Sequence, residues 1–298
     1  MGSDKPPGEP VAFDPVPVLR HLPVAAARNR WVWEAVLDGL ISADEESDWG
    51  GGGVRGDRRM RLWRMVVAEA HGGPVAAEHV GAAAILVAGV DAAAVVMVLD
   101  ASPRETIYAS DPGAAELEEL TLTVGEGPGV DALADGPVLV PDLTAGECLA
   151  RWPAFAPTAV RTGVRAVFAL PLRIGAIRLG VLDLYRAEPG GLDAEQLADA
   201  LMLADTMGAL LLDQAGRDVP RPDGSWPEHT GAQHPVVHQA TGMVIVQLGV
   251  TAAVALIRLR AYAYANDRRL RDVATDVVAR RLRFDPDPDP VSGTGGGC

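Results

Sequence analysis

The sequence predicts an α+β protein with two folded parts, and three observations lead to this fold class. A length of 298 residues accommodates two domains, and 48% hydrophobic with 22% charged residues is the composition of chains that build apolar cores. Residues 61–213 alternate short strand-like runs with helical stretches. Residues 234–284 then hold three short helical patterns, which need one shared core to be stable.

Changes in composition divide the chain into five segments. The first is rich in proline, contains the run Gly50–Gly53 and one helix-compatible stretch at 28–41, and is expected to be largely flexible. A later stretch rich in proline, glycine and aspartate lacks periodicity and is expected to be a linker. The predicted segments are an N-terminal extension (1–60), a mixed segment (61–213), a linker (214–233), a helical segment (234–284) and a disordered tail (285–298).

The mixed segment is predicted to form one antiparallel sheet. Helices are expected at 62–71, 74–87, 153–161 and 194–213. Five β-type runs are each bounded by glycine, proline or aspartate, and they cover residues 94–99, 106–110, 138–140, 164–172 and 179–185. Strands with helices at both ends and between them indicate an α+β domain.

The helical segment predicts three helices in order. The first, at 234–248, is stopped by Gly249, which tolerates the left-handed conformation of a helix end. Thr251 is placed to cap a second helix that runs to Ala265. A third helix carries an apolar stripe at spacings of three and four, formed by Leu270, Val273, Ala274, Val277, Val278 and Leu282.

The helical segment is basic although the chain as a whole is acidic. Residues 234–284 hold eight arginines and three aspartates, a formal charge of +5, so the rest of a chain of net charge −14 carries −19. A basic module attached to an acidic carrier is typical of proteins that bind a polyanion.

Several classes of enzyme are excluded by what the sequence lacks. Lys5 is the only lysine, so a glycine-rich phosphate loop with its lysine is absent. In Gly125–Gly129 the third glycine of a dinucleotide fingerprint is replaced by Val130, and Glu126 would repel an anion, so a turn is expected. No Ser/His/Asp, HExxH or GxSxG arrangement appears, and no enzyme activity is predicted.

Metal and membrane binding are not expected either. His234 and His238 are one helical turn apart but lack a nearby third ligand, and the two cysteines are far apart. The chain starts with polar residues, and the longest apolar run, 80–99, is interrupted by Asp91. The expectation is a cytoplasmic protein without a metal or an obligatory cofactor.

Five motifs follow one another in the mixed segment: Tyr108–Asp111, Gly125–Gly129, Arg151–Phe155, Gly163–Leu172 and Gly180–Tyr185. With them the segment resembles a GAF domain, the small-molecule sensor fold of many bacterial regulators. The resemblance implies a small-molecule signal of unknown identity. The expected lining of its pocket is Tyr108, Trp152, Phe155 and Arg165, although each of these residues could instead have a structural role.

The helical segment carries the motifs Val237–Val244, Gln247–Val250, Arg258–Ala261 and Leu270–Ala274. With them it resembles an ANTAR domain, the RNA-binding module of transcription antitermination regulators. The resemblance implies recognition of paired RNA hairpins with exposed loop bases, which would keep a terminator from forming. The candidate RNA contacts are Gln239, Ala240, Thr241, Gly242, Arg258, Arg260, Tyr262, Asn266, Arg268, Arg269 and Arg271.

Three further questions stay open at this stage. Paired hairpins favour a homodimer, and the helix at 194–213 could supply its contact or could be a face of the sensor core. The third helix of the basic segment could be a recognition helix for DNA instead of RNA. The basic helices could also bind an acidic protein partner, so that the sensor signals through that partner.

Overall fold

A computed structural model describes residues 52–98, 104–175, 177–217 and 235–285. The helices of the part before the linker are α1 (Gly52–Glu69), α2 (Ala77–Ala88), α3 (Pro112–Val124), α4 (Pro128–Asp135), α5 (Gly146–Arg151), α6 (Phe155–Arg161) and α7 (Ala194–Arg217). Its strands are β1 (Ala92–Met97), β2 (Glu105–Ala109), β3 (Val138–Val140), β4 (Ala166–Ile174) and β5 (Ile177–Arg186). Three helices follow, α8 (Pro235–Leu248), α9 (Ala252–Ala265) and α10 (Leu270–Val278).

The five strands form one antiparallel sheet in the order β2-β1-β5-β4-β3. β4 and β5 form a hairpin in which Phe168 lies opposite Leu184. β1 pairs with the free side of β5, and β3 pairs with the free side of β4, so β2 and β3 are the edges. The predicted α+β class with a single antiparallel sheet is confirmed.

Helices cover both faces of the sheet. Successive side chains of a strand point to opposite faces, so the strands place apolar side chains on both. Val95, Phe168 and Leu182 pack into one core with α1, α2 and α7. Val167 and Tyr185 pack into a second core on the other face, with α3, α5 and α6. The second face is the one that also meets the basic helical segment.

α1 begins earlier than the sequence predicts. Its first residue, Gly52, lies in the stretch predicted to be a flexible extension, and the helix crosses the boundary placed between residues 60 and 61. Arg58 and Arg61 pair with the Asp199 carboxylate of α7 at 3.5 and 2.7 Å, and these ion pairs hold α1 against α7. The helix considered at 28–41 falls outside the described residues.

α3 is missing from the sequence prediction although both of its ends carry clear signals. The Asp111 side chain accepts hydrogen bonds from the amides of Gly113 and Ala114 at 2.7 and 3.1 Å, and Pro112 occupies the first turn. Gly125, at φ +74°, ends the helix. Residues of low helix propensity in its last turn, two threonines and a valine, conceal the helical pattern.

α8, α9 and α10 share one core, as their apolar spacing predicts. Gly249, at φ +66°, follows α8, and the Thr251 hydroxyl accepts a hydrogen bond from the Val254 amide at 3.4 Å at the start of α9. α10 is shorter than the predicted stripe, yet Leu282 beyond its end still packs against this core. The fully buried members of the stripe are Leu270, Val273, Ala274 and Val277.

α7 serves mainly as a wall of the sensor core. Ala204 and Leu211 are buried against the sheet, whereas Leu201 and Leu212 are 36% and 40% exposed. The part of the helix proposed as a dimer contact is therefore limited to a narrow exposed strip.

Within the described ranges, no single helix is long and apolar enough to cross a bilayer. α8 and α9 meet the length and composition criteria only when taken together, and they are bent by 105° relative to each other.

Candidate nucleic-acid interface

Two arginines of the basic segment are held by one carboxylate. Arg268 and Arg281 each place a guanidinium nitrogen 2.7 Å from the Asp276 carboxylate. Hydrogen bonds from these two arginines lower the pKa of Asp276. The guanidinium of Arg268 is thereby oriented near the turn between α9 and α10.

A second group of arginines faces α3 of the sensor segment. Arg269 pairs with Glu116 at 3.2 Å, and the Arg260 Nε donates to the Leu122 carbonyl oxygen at 3.0 Å. Burial lowers the pKa of Arg260, and the nearby positive charge of Arg104 lowers it further. Two of the candidate RNA contacts are therefore engaged by another part of the same chain.

The start of α10 is completed by α3. Arg269, the residue that precedes the first turn, offers no side-chain cap. The Thr123 hydroxyl instead accepts from the Leu270 amide at 3.1 Å, and the Glu119 carboxylate accepts from the Arg271 amide at 3.4 Å. Free amides at a helix start need such acceptors, and anions are favoured there.

The candidate contacts on α8 divide between surface and core. Gln239 and Gly242 are exposed, and nothing lies within 4 Å of a side chain added at Gly242. Ala240 is fully buried, so its side chain packs between the helices instead of reaching the surface. The Thr241 hydroxyl donates to the Val237 carbonyl at 2.7 Å, so its proton is already used in a hydrogen bond within its own helix.

The two tyrosines of α9 lie in different environments, and only Tyr262 belongs to the candidate set. Tyr262 packs on the core, with its ring 5.6 Å from that of Phe284 in an edge-to-face arrangement, so it is a structural residue. Tyr264 is 61% exposed and is the aromatic side chain available for stacking on a base. The Asn266 side chain donates to the Tyr262 carbonyl at 2.8 Å and closes the helix.

The remaining arginines of the segment lie on its outer surface. Arg258 is exposed on α9. Arg280 and Arg283 line a groove of about 410 Å³ together with Gln247 and Val246 of α8. Arg280 and Arg283 are absent from the candidate set, because nothing in the sequence indicates that they approach α8.

The four residues predicted to line a sensor pocket do not come together. Trp152 and Phe155 are buried in the core beside α3 and α6. Tyr108 packs against the core on the opposite face of the sheet. Arg165 is exposed at the start of β4. The predicted quartet therefore does not line one pocket, because the sheet separates Tyr108 from Trp152 and Phe155 and Arg165 lies at the surface.

A buried polar cluster occupies the sensor segment instead, formed by Arg104, Glu118, Asp183 and Tyr185. Arg104 lies 3.4 Å from the Asp183 carboxylate and 3.6 Å from that of Glu118, and the Tyr185 hydroxyl donates to Glu118. Burial raises the pKa of Asp183 well above its ordinary value, and the charge of Glu118 raises it further, while Arg104 opposes both. An aspartate in the middle of the apolar strand Gly180–Tyr185 was the available sequence signal for this cluster.

Four buried atoms of this cluster have no hydrogen-bond partner: Arg104 Nε and Nη1, Glu118 Oε2 and Asp183 Oδ1. Gly129, at the start of α4, gives the cluster its space, since an added Cβ would lie 2.6 Å from Asp183 Oδ2. Both donors and acceptors are therefore available in the interior of the sensor segment.

In the glycine-rich stretch Gly125–Gly129, residues 125–127 form the predicted turn, and Pro128 and Gly129 already belong to α4. The turn joins α3 to α4, and the Glu126 carboxylate accepts from the amides of Ala154 and Phe155 at 2.7 and 3.0 Å. Among the described residues, no three His, Cys, Asp or Glu side chains group in a way that could hold a metal ion. His234 lies outside those residues.

Solved structures of sensor domains resemble the first part of the chain. The GAF domain of a phosphoenolpyruvate-protein phosphotransferase from Coxiella burnetii is 17% identical, with a TM-score of 0.44, over 54% of this chain and 96% of that chain. The second GAF domain of DevS from Mycobacterium smegmatis is 22% identical, with a TM-score of 0.33, over 46% of this chain and 92% of that chain. A comparison with curated proteins finds no match.

Family comparisons assign both folded parts. The model of the GAF domain family matches residues 76–211, which hold the sheet and its covering helices except α1. The model of the ANTAR domain family matches residues 228–278, which hold α8, α9 and α10. The chain therefore contains a GAF domain followed by an ANTAR domain.

Proposed function

We propose that this chain is a signal-responsive regulator that binds hairpins in nascent transcripts through its ANTAR domain and thereby prevents transcription termination. The observation that carries the proposal is the concentration of arginines on a three-helix domain that matches the ANTAR family. Guanidinium groups match phosphate oxygens in geometry and charge, so they suit an RNA backbone. Nascent transcripts also imply that the protein works in the cytoplasm.

The side chains near the turn between α9 and α10 support an RNA ligand. Arg268 is oriented by Asp276, and Arg269 and Arg271 follow it directly at the start of α10. Tyr264, exposed near the end of α9, offers a face on which an unpaired loop base can stack. Charged contacts and a stacking surface together are typical of proteins that read hairpin loops.

We propose that the GAF domain supplies the signal. The buried atoms of Arg104, Glu118 and Asp183 that lack a hydrogen-bond partner suit a small polar molecule and not an apolar one. A homodimer would allow two hairpins to be bound at once, and Leu201 and Leu212 of α7 are the exposed apolar side chains that would support it.

Replacing Arg271 with alanine is expected to weaken binding of the full chain to a synthetic RNA with two adjacent stem-loops. Each phosphate contact that is lost should reduce the slope of log affinity against log salt concentration by about 0.7 for unpaired strands, or about 0.9 for duplex. Fluorescence anisotropy between roughly 50 and 200 mM salt measures both quantities. In the structure only the backbone of Arg271 bonds to α3, so the side-chain change leaves that bond available.

Arg178→Ala is the matched control, because it removes the same charge from an exposed position of β5 in the GAF domain. It should leave both the affinity and the slope as they are in the wild type. Equal slopes for Arg271→Ala and the wild type would contradict the proposed contact. Stronger binding to a DNA duplex of matched length than to the RNA would contradict the choice of RNA.

A further inference from the structure

We propose that one face of α3, formed by Glu116, Glu119, Leu122 and Thr123, is a docking surface for the ANTAR domain of the same chain. Docked there, the ANTAR domain presents part of its RNA-binding surface to the GAF domain, so that RNA and the GAF domain compete for it. The inference rests on the RNA-binding function proposed above. We call these four residues the docking face.

The docking face has an apolar centre. Leu122 is 2% exposed and packs with the core of α8, α9 and α10, including Val237, Leu259 and Leu270. It belongs to neither of the cores beside the sheet. Without the ANTAR domain this leucine would be a surface residue of the GAF domain, so its burial favours docking.

Acidic side chains of the docking face engage the arginines at the start of α10. Glu116 pairs with Arg269 at 3.2 Å, and Glu119 accepts from the Arg271 amide at 3.4 Å. A carboxylate offers the same kind of charged oxygen to an arginine as a phosphate does. Glu116 and Glu119 therefore occupy positions that RNA phosphates would need.

The docking face also supplies the hydrogen-bond acceptors that α10 lacks. The Leu270 amide donates to Thr123 and the Arg271 amide donates to Glu119, and the residue before the helix provides no side-chain cap. The amides at a helix start also bind phosphate readily. RNA can therefore replace α3 as the acceptor without leaving these amides unpaired.

Arg260 extends the contact to the end of α3. Its guanidinium lies against Gly125, where an added Cβ would be 2.9 Å from the Arg260 Nη1 atom, and its Nε donates to the Leu122 carbonyl. Docking thus partly buries the Arg260 guanidinium near the positive charge of Arg104, and both effects disfavour the charged form of Arg260. This cost keeps the docked state open to competition by a polyanion.

α3 connects docking to the sensor interior. Glu118, which belongs to the buried polar cluster, lies on the same helix as Glu119, one residue before it. A change at the cluster that moves α3 would move the docking face with it, because a helix transmits displacement as a rigid element. Release of the ANTAR domain is therefore the route by which the sensor would control RNA binding.

The test is Leu122→Asp in the full chain. An aspartate cannot enter the shared core, so the ANTAR domain should be released, yet the added negative charge by itself disfavours RNA. If about nine molecules in ten are docked in the wild type, release should tighten binding of the two-stem-loop RNA about tenfold. Hydrogen exchange of peptides that contain Leu270 should become faster, because its amide loses Thr123.

Leu139→Asp is the matched control. Leu139 is 42% exposed on β3, and its replacement adds the same charge away from the docking face. It should change neither RNA affinity nor exchange. Thr123→Val is a milder second variant that removes only the acceptor of the Leu270 amide and should tighten RNA binding roughly twofold to sixfold, since a single hydrogen bond contributes only part of the docking free energy.

Each outcome of this experiment decides a separate point. Tighter RNA binding together with faster exchange supports the inference. Faster exchange with unchanged RNA affinity means that docking occurs but does not compete. Equal exchange in the wild type and in Leu122→Asp means that the docked state is absent in solution. Failure of both proteins to bind RNA, with exchange showing release, would overturn the RNA-binding function and competition with it.

Discussion

Replacing Arg104 with methionine is expected to lower the free energy of unfolding at pH 7.5 by about 3–5 kcal/mol, because it leaves two buried carboxylates without their counter-charge. Arg104 is 8% exposed, and its carboxylate neighbours Glu118 and Asp183 are 3% and 2% exposed. Methionine fills a volume similar to that of arginine, so the fall in stability reflects the missing charge and not a cavity. Urea unfolding followed by circular dichroism measures it.

The loss of stability caused by Arg104→Met should become smaller as the pH falls. Burial raises the pKa of Asp183 in the folded protein, so the folded state binds this proton more tightly than the unfolded state does. Stability from that proton is fully present below the unfolded pKa and is lost as the pH rises through the folded pKa. Removing Arg104 raises the folded pKa further, so Arg104→Met should be closer to the wild type at pH 5.5 than at pH 7.5.

Arg151→Met provides the control for Arg104→Met. Arg151 pairs with Asp131 at 2.7 Å, but its side chain is 52% exposed, so its loss should cost at most about 1 kcal/mol at either pH. Adding Asp183→Asn to Arg104→Met should restore part of the stability at pH 7.5. Equal losses for the two arginine variants, or a loss for Arg104→Met that does not depend on pH, would show that the cluster is not charged in the way described.

The parts of the fold that the sequence predicted are those that depend on local patterns. The stripe of α10 could be found because Leu270, Val273, Ala274 and Val277 recur at helical spacing, and all four are buried. The strands around Phe168 and Leu182 were bounded by turn residues and appeared at nearly the predicted positions. Such patterns involve residues that are close together in the sequence, so they can be detected without knowing the contacts between distant residues.

The features that carry the further inference join residues that are far apart in the chain. Glu116 and Arg269 are separated by 153 positions, and in the sequence each is indistinguishable from an ordinary solvated charge. Leu122 stands among threonines near the end of a helix that the pattern did not reveal. Contacts between domains therefore had to come from the structure.

The helical period of α9 distinguishes its two tyrosines already in the sequence. Ala255 and Leu259 form the buried face of α9, and Tyr262 follows three positions after Leu259 on that face. Tyr264 is about 200° around the helix from Tyr262, so both tyrosines could not be buried. The helical period assigns Tyr262 to the core and Tyr264 to the surface.

Gly180→Ala is expected to destabilise the GAF domain by about 3 kcal/mol, near the upper end for adding one methyl group to a packed site. Gly180 lies on β5 opposite Met97 of β1, and an added Cβ would be 1.9 Å from the Val96 carbonyl oxygen. That atom belongs to the backbone of the neighbouring strand, so no side chain can move to relieve the overlap. β1 and β5 must separate locally, which weakens the ladder in the middle of the sheet.

Gly208→Ala is the matched control, because an added Cβ on α7 would meet its nearest atom, the Arg173 carbonyl oxygen, at an ordinary 3.6 Å. Alanine in a helix should leave stability unchanged or raise it by about 0.5–1 kcal/mol. Equal urea midpoints for the two variants would contradict the close approach of β1 and β5. Since Asp183 lies three residues after Gly180 on the same strand, separation of these strands should also loosen the polar cluster, and Gly180→Ala should then bind RNA more tightly if that cluster keeps α3 in its docking position.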